Sequence, residues 1–152
     1  MEVTIRKQQS TEVVPLSLLL LADPNEQLIN SYLTRGTCIV AEYKEELVGV
    51  MVLLETRPAT LEIVNIAVVE RWQSNGIGSQ LIRYAIQQAK LQHLNTVEIG
   101  TGNSSIQQLA LYQKLGFRMT SIDHNFFVRN YNEAIFENGI PCVDMIRLSI
   151  TL

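Results

Sequence analysis

Apolar and polar positions along this chain follow two periods, and the switches between them mark out the elements. Val3-Thr-Ile5 predicts an opening strand. Pro15 starts a helix that runs to Ala22 and is broken at Asp23-Pro24, because proline has no N–H with which to continue it. Asn25 to Leu33 predicts a second short helix, stopped near Gly36. Cys38 to Tyr43 and Leu47 to Leu54 are apolar or alternating runs on either side of the charged turn Lys44-Glu45-Glu46, which predicts an antiparallel hairpin.

Leu61 to Val69, LEIVNIAVV, is rich in β-branched residues with few polar breaks, as a central strand covered on both faces would be. Ile77, Leu81, Ile82, Ala85, Ile86 and Ala89 recur at helical spacing and define one apolar face. Val97 to Ile99 reads as a strand. Ser104 to Leu115 reads as a helix with Ile106, Leu109 and Ala110 on its buried stripe, stopped by Gly116. A strand from Phe117, a polar connector through Tyr131 to Pro141, and a last strand from Val143 to Leu152 complete the chain. Strands come first, then strand, helix, strand, helix, strand. The order predicts one α/β domain over residues 1–152, a mixed twisted sheet with helices on both faces.

Composition narrows the function classes. The 152 residues are 47% hydrophobic, enough for a core without disulfides or metal. A net charge of −3 and scattered Lys and Arg give no footprint for nucleic acid. The N-terminus lacks the order of a signal peptide, and the longest greasy segment, Leu18 to Ala22, is too short for a bilayer. These features predict a soluble cytoplasmic protein with no membrane partner. Cys38 and Cys142 sit in apolar stretches as small hydrophobes, and no spacing suggests a metal site.

The chemistry starts at Gln73-Ser74-Asn75-Gly76-Ile77-Gly78-Ser79, a glycine pair between an apolar strand and a helix. Backbone without Cβ atoms approaches an anion closely, and the first N–H groups of a helix have no internal partner. A tight turn that packs helix on sheet would use the same glycines. The phosphate could belong to a nucleoside triphosphate, a dinucleotide or coenzyme A. The chain has no Gly-x₄-Gly-Lys-Ser/Thr run. A dinucleotide fingerprint needs a small residue where Leu81 stands and a tighter turn than the seven positions from Val69 to Gly76, although Glu98 lies near the expected acid.

The stretch IAVVERWQSNGIGSQLI resembles the signature of the Gcn5-related N-acetyltransferase (GNAT) superfamily, with Gln73-Ser-Asn-Gly76-Ile-Gly78 as its loop. A later segment, LALYQKLGF, resembles that superfamily's Leu-Tyr helix and Gly-Phe exit at Leu111-Tyr112 and Gly116-Phe117. The resemblance covers Leu61 to Phe117 and implies transfer of an acetyl group from acetyl-CoA, the co-substrate, to an amine.

It also implies roles. Backbone N–H groups from Ser74 to Ser79 hold the diphosphate, with Gln73 a neutral side chain where many relatives carry Arg. Backbone of Ile66, Ala67 and Val68 pairs with the pantetheine arm and polarises the thioester. Tyr112 is the candidate general acid for the departing thiolate, and it lies against the cofactor. The amine must arrive neutral, so Glu62 or Glu98 is the candidate base, each an acid interrupting an apolar strand. Strict alternation puts Glu62 on one face with Val64, Ile66 and Val68. Relatives place a cofactor-binding Asn seven residues before the tyrosine; here Ser105 stands there and Asn103 lies two residues earlier, so either could serve, or both could cap the helix.

His93 reads as a helix-end residue, and His124, between Asp123 and Phe126-Phe127, could face the acceptor cleft. Acids at Glu133, Glu137 and Asp144 hint at a cationic acceptor, small molecule or protein amine. A free sheet edge allows a homodimer. The competing function is a non-catalytic acyl-CoA-binding module or sensor, which would keep the glycine loop and dispense with Tyr112 and Glu62.

Overall fold

The hairpin around Lys44-Glu45 forms on two consecutive left-handed residues, with φ of +48° and +66°. Such a turn matches the twist of the strands it joins. The hairpin consists of β2 (Thr37–Tyr43) and β3 (Glu46–Arg57), and around it the computed structural model, which describes residues 2–152, builds one seven-stranded sheet. The other strands are β1 (Thr4–Lys7), β4 (Thr60–Val68), β5 (Thr96–Gly102), β6 (Arg118–Asp123) and β9 (Met145–Thr151), in the order β1-β2-β3-β4-β5-β9-β6. Only β4 and β5 run parallel; every other neighbouring pair in the sheet is antiparallel.

Helices cover both faces. On one face lie α1 (Leu16–Ala22) and α2 (Glu26–Leu33), where Leu19 and Ile29 meet Val40, Val50, Val52 and Ala67. Asn25 caps α2 by accepting from the Leu28 N–H at 3.1 Å, which fixes the corner after Asp23-Pro24. On the other face lie α3 (Ile77–Leu91) and α4 (Ile106–Lys114), where Leu81, Ile82 and Ala85 meet Met51, Ile63, Ile99 and Leu148. No helix among the described residues is long and apolar enough to cross a membrane.

Two expectations change. The buried stripe of α4 is not Ile106 and Ala110, which are exposed; Tyr112 is the buried residue, with Leu109, Leu111 and Leu115 half-buried beside it. The helix begins only at Ile106, so its second turn sets the packing phase, and there Tyr112 lies against Phe117 with ring centroids 6.3 Å apart. The polar connector also has structure: α5 (Phe126–Asn130) and a small hairpin of β7 (Phe136–Glu137) and β8 (Ile140–Pro141). Phe126, Phe127 and Tyr131 hold it together as a ring cluster, with Phe127 and Tyr131 stacked at 5.5 Å.

Two irregularities in β4 prepare the site. Ile63 opposes Leu53 on β3 while Asn65 opposes Val52, so Val64 is an extra, bulged residue. The bulge exchanges faces: Leu61 and Ile63 look toward α3, and so do Ile66 and Val68, whereas Val64 and Ala67 look toward α1 and α2. Glu62 therefore does not share a face with Ile66 and Val68. Strict alternation fails there because the strand carries one residue too many. In addition, β4 and β5 pair only from Thr60↔Thr96 to Ile63↔Ile99, though they continue to Val68 and Gly102. Beyond Ile63 the two strands part.

Candidate active site

The glycine loop occupies the far end of this parting. Gly76 is the N-cap of α3 with φ +81°, a conformation that side chains other than glycine's adopt at a cost. Asn75 ties the loop from within, its Nδ2 donating to the carbonyls of Trp72 at 3.0 Å and Gln73 at 3.1 Å. The helix start has no side-chain cap, and its first turn carries no acid. Among the described residues, none of the six consecutive backbone N–H groups from Ser74 to Ser79 finds a protein acceptor; the first bond of the helix is Gln80 N–H to the Gly76 carbonyl. Six such donors at the positive end of a four-turn helix are the chemistry that an anion site requires. A Cβ at Gly78 would meet only Leu111, at an ordinary 3.6 Å, so the protein's own packing does not require glycine there.

The parting supplies a second row of donors. Val69 N–H bonds the Val48 carbonyl across the β3–β4 ladder at 2.9 Å. Alternation along an antiparallel pair then sends the polar groups of Asn65 and Ala67 to β3, and those of Ile66 and Val68 into the gap. Of the three expected pairing positions, Ile66 and Val68 face the gap and Ala67 does not, because its amide is engaged in the ladder. The Val68 carbonyl accepts from Gln73 Nε2 at 3.1 Å, so the Gln73 side chain is folded back onto β4 rather than free beside the loop.

Tyr112 is 4% exposed, and among the described residues its hydroxyl finds no hydrogen-bond partner. Burial raises its phenol above the ordinary value, which keeps the proton on at neutral pH.

Glu62 and Glu98 are brought together as cross-strand neighbours on the face of α1 and α2. Arg147 on β9 joins them, with Nη1 3.2 Å from Glu62 Oε2 and Nη2 3.3 Å from Glu98 Oε2. Arg57 closes on the other oxygen of Glu98. Gly100 makes this possible: a Cβ there would lie 2.8 Å from both Arg147 Nη1 and Met145 Sδ, so its absence is the slot through which the guanidinium crosses β5. Sequence reasoning passed over Arg147. The available signal was the one that picked out the glutamates, a charge interrupting an apolar strand, here in MIRLSI.

Asn103 is a staple for the connector. Its Oδ1 accepts from the Val143 and Asp144 N–H groups at 2.8 and 3.0 Å, and its Nδ2 donates to the Pro141 carbonyl at 3.0 Å. Ser105 is the N-cap of α4, but its hydroxyl donates to Glu137 at 3.0 Å and caps nothing. His93 lies two residues past the end of α3, with φ +58°. His124 is largely exposed, 3.6 Å from Asp144.

Unpartnered amides at the start of α3, strand polar groups turned into the gap and a buried phenol on α4 are the three features of this candidate site. Residues 11–117 match the Acetyltransferase (GNAT) family, a span that contains all three features. The chain belongs to this family. Among GNAT relatives, the N-acetyltransferase YvbK of Bacillus subtilis is 59% identical over 135 residues, 89% of this chain and 87% of that one. The structure of an IAA acetyltransferase from Bacillus cereus superposes with a TM-score of 0.96 at 53% identity, over 99% of this chain and all of the other. A GNAT family acetyltransferase from Elizabethkingia anophelis, solved with acetyl-CoA bound, gives 0.96 at 49% identity, over 99% and 98%. The GNAT fold, one mixed sheet with helices on both faces, is therefore the fold of this chain.

Proposed function

We propose that this acetyltransferase moves the acetyl group of acetyl-CoA to a primary amine by direct attack, with both substrates bound at once. The observation that carries the reading is a run of unpartnered backbone donors in two separate stretches: Ile66 and Val68 along the gap, and Ser74 to Ser79 at the start of α3. A pyrophosphate with an amide-bearing arm is the ligand that such a run fits. The relative solved with acetyl-CoA supports the same cofactor.

The residues divide the work as follows. Loop amides 74 to 79 hold the diphosphate, and Gly78 leaves room for its oxygens. The gap-facing amides align the pantetheine arm, and one of them donates to the thioester oxygen as negative charge develops there. An ammonium cannot attack, so a proton leaves the amine through water to Glu62, with Glu98 its neighbour across the strand pair. The amine nitrogen then bonds to the carbonyl carbon, the C–S bond breaks, and the sulfur takes a proton from the Tyr112 hydroxyl. That proton is replaced by the second proton of the nitrogen, shed as the amide forms, while the first passes from Glu62 to solvent. Asn103 contributes as the staple of the cleft's rim.

The test is titration calorimetry with acetyl-CoA, then a thiol-release screen over small amines, polyamines, aminoglycosides and peptide amines. The protein's own thiols stay quiet in such an assay: burial pushes Cys38 up to about 11 and raises Cys142 as well. Saturable binding followed by thiol release with one acceptor class is the expected result. Binding with no release from any acceptor favours a non-catalytic acyl-CoA-binding module, and no binding ends the proposal.

A further inference from the structure

The bulge at Val64 decides which strand amides enter the gap, yet the apolar pattern of β4 does not decide the bulge. With the register set by Leu53↔Ile63 and no extra residue, Val52 would oppose Val64, and Val50 would oppose Ile66. Asn65 and Ala67 would then turn toward α3, and Ile66 and Val68 toward α1 and α2. Side chains at 64, 66, 67 and 68 are apolar in either case, so hydrophobicity accepts both registers. The polar groups do not: without the bulge, the amides of Asn65 and Ala67 face the gap, and those of Ile66 and Val68 join the β3 ladder.

Asn65 breaks the tie. It is 4% exposed in an otherwise apolar layer. Its Nδ2 donates to the Leu19 carbonyl at 3.0 Å and to the Tyr32 hydroxyl at 2.8 Å, one partner from each of the two helices on that face. Tyr32 in turn donates to Asp23 at 3.1 Å, and Asp23 also accepts from the Tyr131 hydroxyl at 2.8 Å. On the opposite face the same amide would lie against Ile77, Leu81 and Ala85, which offer no acceptor. A buried NH2 group without acceptors is costly, so the bulged register is favoured because it gives Nδ2 both of its partners.

We propose that Asn65 is a positioning residue for the cofactor: by holding β4 in the bulged register it presents the amides of Ile66 and Val68, rather than those of Asn65 and Ala67, to the pantetheine arm. The proposal rests on the gap-pairing reading above. Its signature separates it from a purely structural role. In Asn65→Leu the Leu19 carbonyl keeps its bond from Asp23 N–H, Tyr32 keeps its bond to Asp23, and the unpartnered Oδ1 of Asn65 is removed. Stability therefore changes little while the register is freed.

The experiment is amide hydrogen exchange by NMR on the full chain, with and without saturating acetyl-CoA, beside calorimetry and a melting curve. In the wild type, Ile66 and Val68 amides gain protection on binding, and Ala67 is protected throughout. In Asn65→Leu the melting temperature moves by less than about 4 °C. Acetyl-CoA affinity falls roughly tenfold as the competent register becomes a minor population, and Ala67 loses protection in the free protein. Tyr32→Phe, which removes one of the two partners, gives the same pattern with roughly a threefold loss, and it decides the matter if the first variant does not fold. Wild-type affinity with unchanged protection at all three amides in the variants overturns the proposal. Acetyl-CoA binding without added protection at Ile66 and Val68 in the wild type overturns instead the gap-pairing reading on which it rests.

Discussion

The glycine loop and the carboxylate cluster stand at opposite ends of β4 and are built in opposite ways. From Ser74 to Ser79 the protein leaves six donors without acceptors. Around Glu62 and Glu98 it leaves the carboxylates partnered, through Arg147 and Arg57. Open donors cost free energy only if buried, and the loop is exposed from Gln73 to Gly76, with Gly78 and Ser79 half-exposed. Carboxylates in the half-buried floor of a sheet have less water to turn to, and without a cation they would repel each other. The loop thus leaves its donors open, while the cluster satisfies its charges within the protein.

That contrast is open to attack by mutation. The largest effect belongs to the loop: Gly76→Asp puts a negative side chain where an anion must sit, and acetyl-CoA affinity should fall at least about 100-fold, read by calorimetry, with the fold intact. Unchanged affinity would remove the loop from the site. Next is Tyr112→Phe, expected to lower kcat by about 100-fold while the Kd for acetyl-CoA stays within about twofold. A kcat equal to wild type would return Tyr112 to a packing role.

At the other end, the cost should appear in stability instead of cofactor affinity. Arg147→Gln strips the shared cation from two half-buried carboxylates and should destabilise the protein by about 1–3 kcal/mol in urea unfolding at pH 7, with acetyl-CoA affinity unchanged. A loss of affinity without loss of stability would mean that the two ends are coupled. The smallest effect is Gly100→Ala. Its Cβ would press on the flexible ends of Arg147 and Met145, which can move, so the loss should stay below about 1 kcal/mol. In an Arg147→Gln background that loss should shrink, since the slot then has less to admit; a double-mutant cycle measures the coupling.

How much of this was legible in the chain follows from how local each signal is. The glycine turn before α3 was fully visible, because glycine at 76 and the helix start at Ile77 are set by neighbours in sequence. Tyr112 was visible for the same reason, though the helix starts two residues later than expected and Ile106 and Ala110 fall outside the buried stripe. Glu62 and Glu98 were visible as breaks in apolar strands, but Arg147, which binds both, was not: it lies 85 residues from Glu62 and is brought there by β9 pairing beside β5. Asn103 read as a candidate cofactor contact because nothing local announced the connector backbone it would hold.

The sequence by itself determined the order of elements, the α/β class, the glycine loop and the types of residue available for proton transfer, since periodicity, turn chemistry and glycine placement act over a few residues. Tertiary structure alone decided the faces. Whether Ile66 looks toward α3 or toward α1 depends on one extra residue at Val64, and that in turn on an asparagine finding its partners on two helices 33 and 46 residues away. A period-two pattern of apolar side chains is satisfied by either register when both faces of a strand are buried. The choice therefore falls to a buried hydrogen bond, whose partners exist only once the helices have docked.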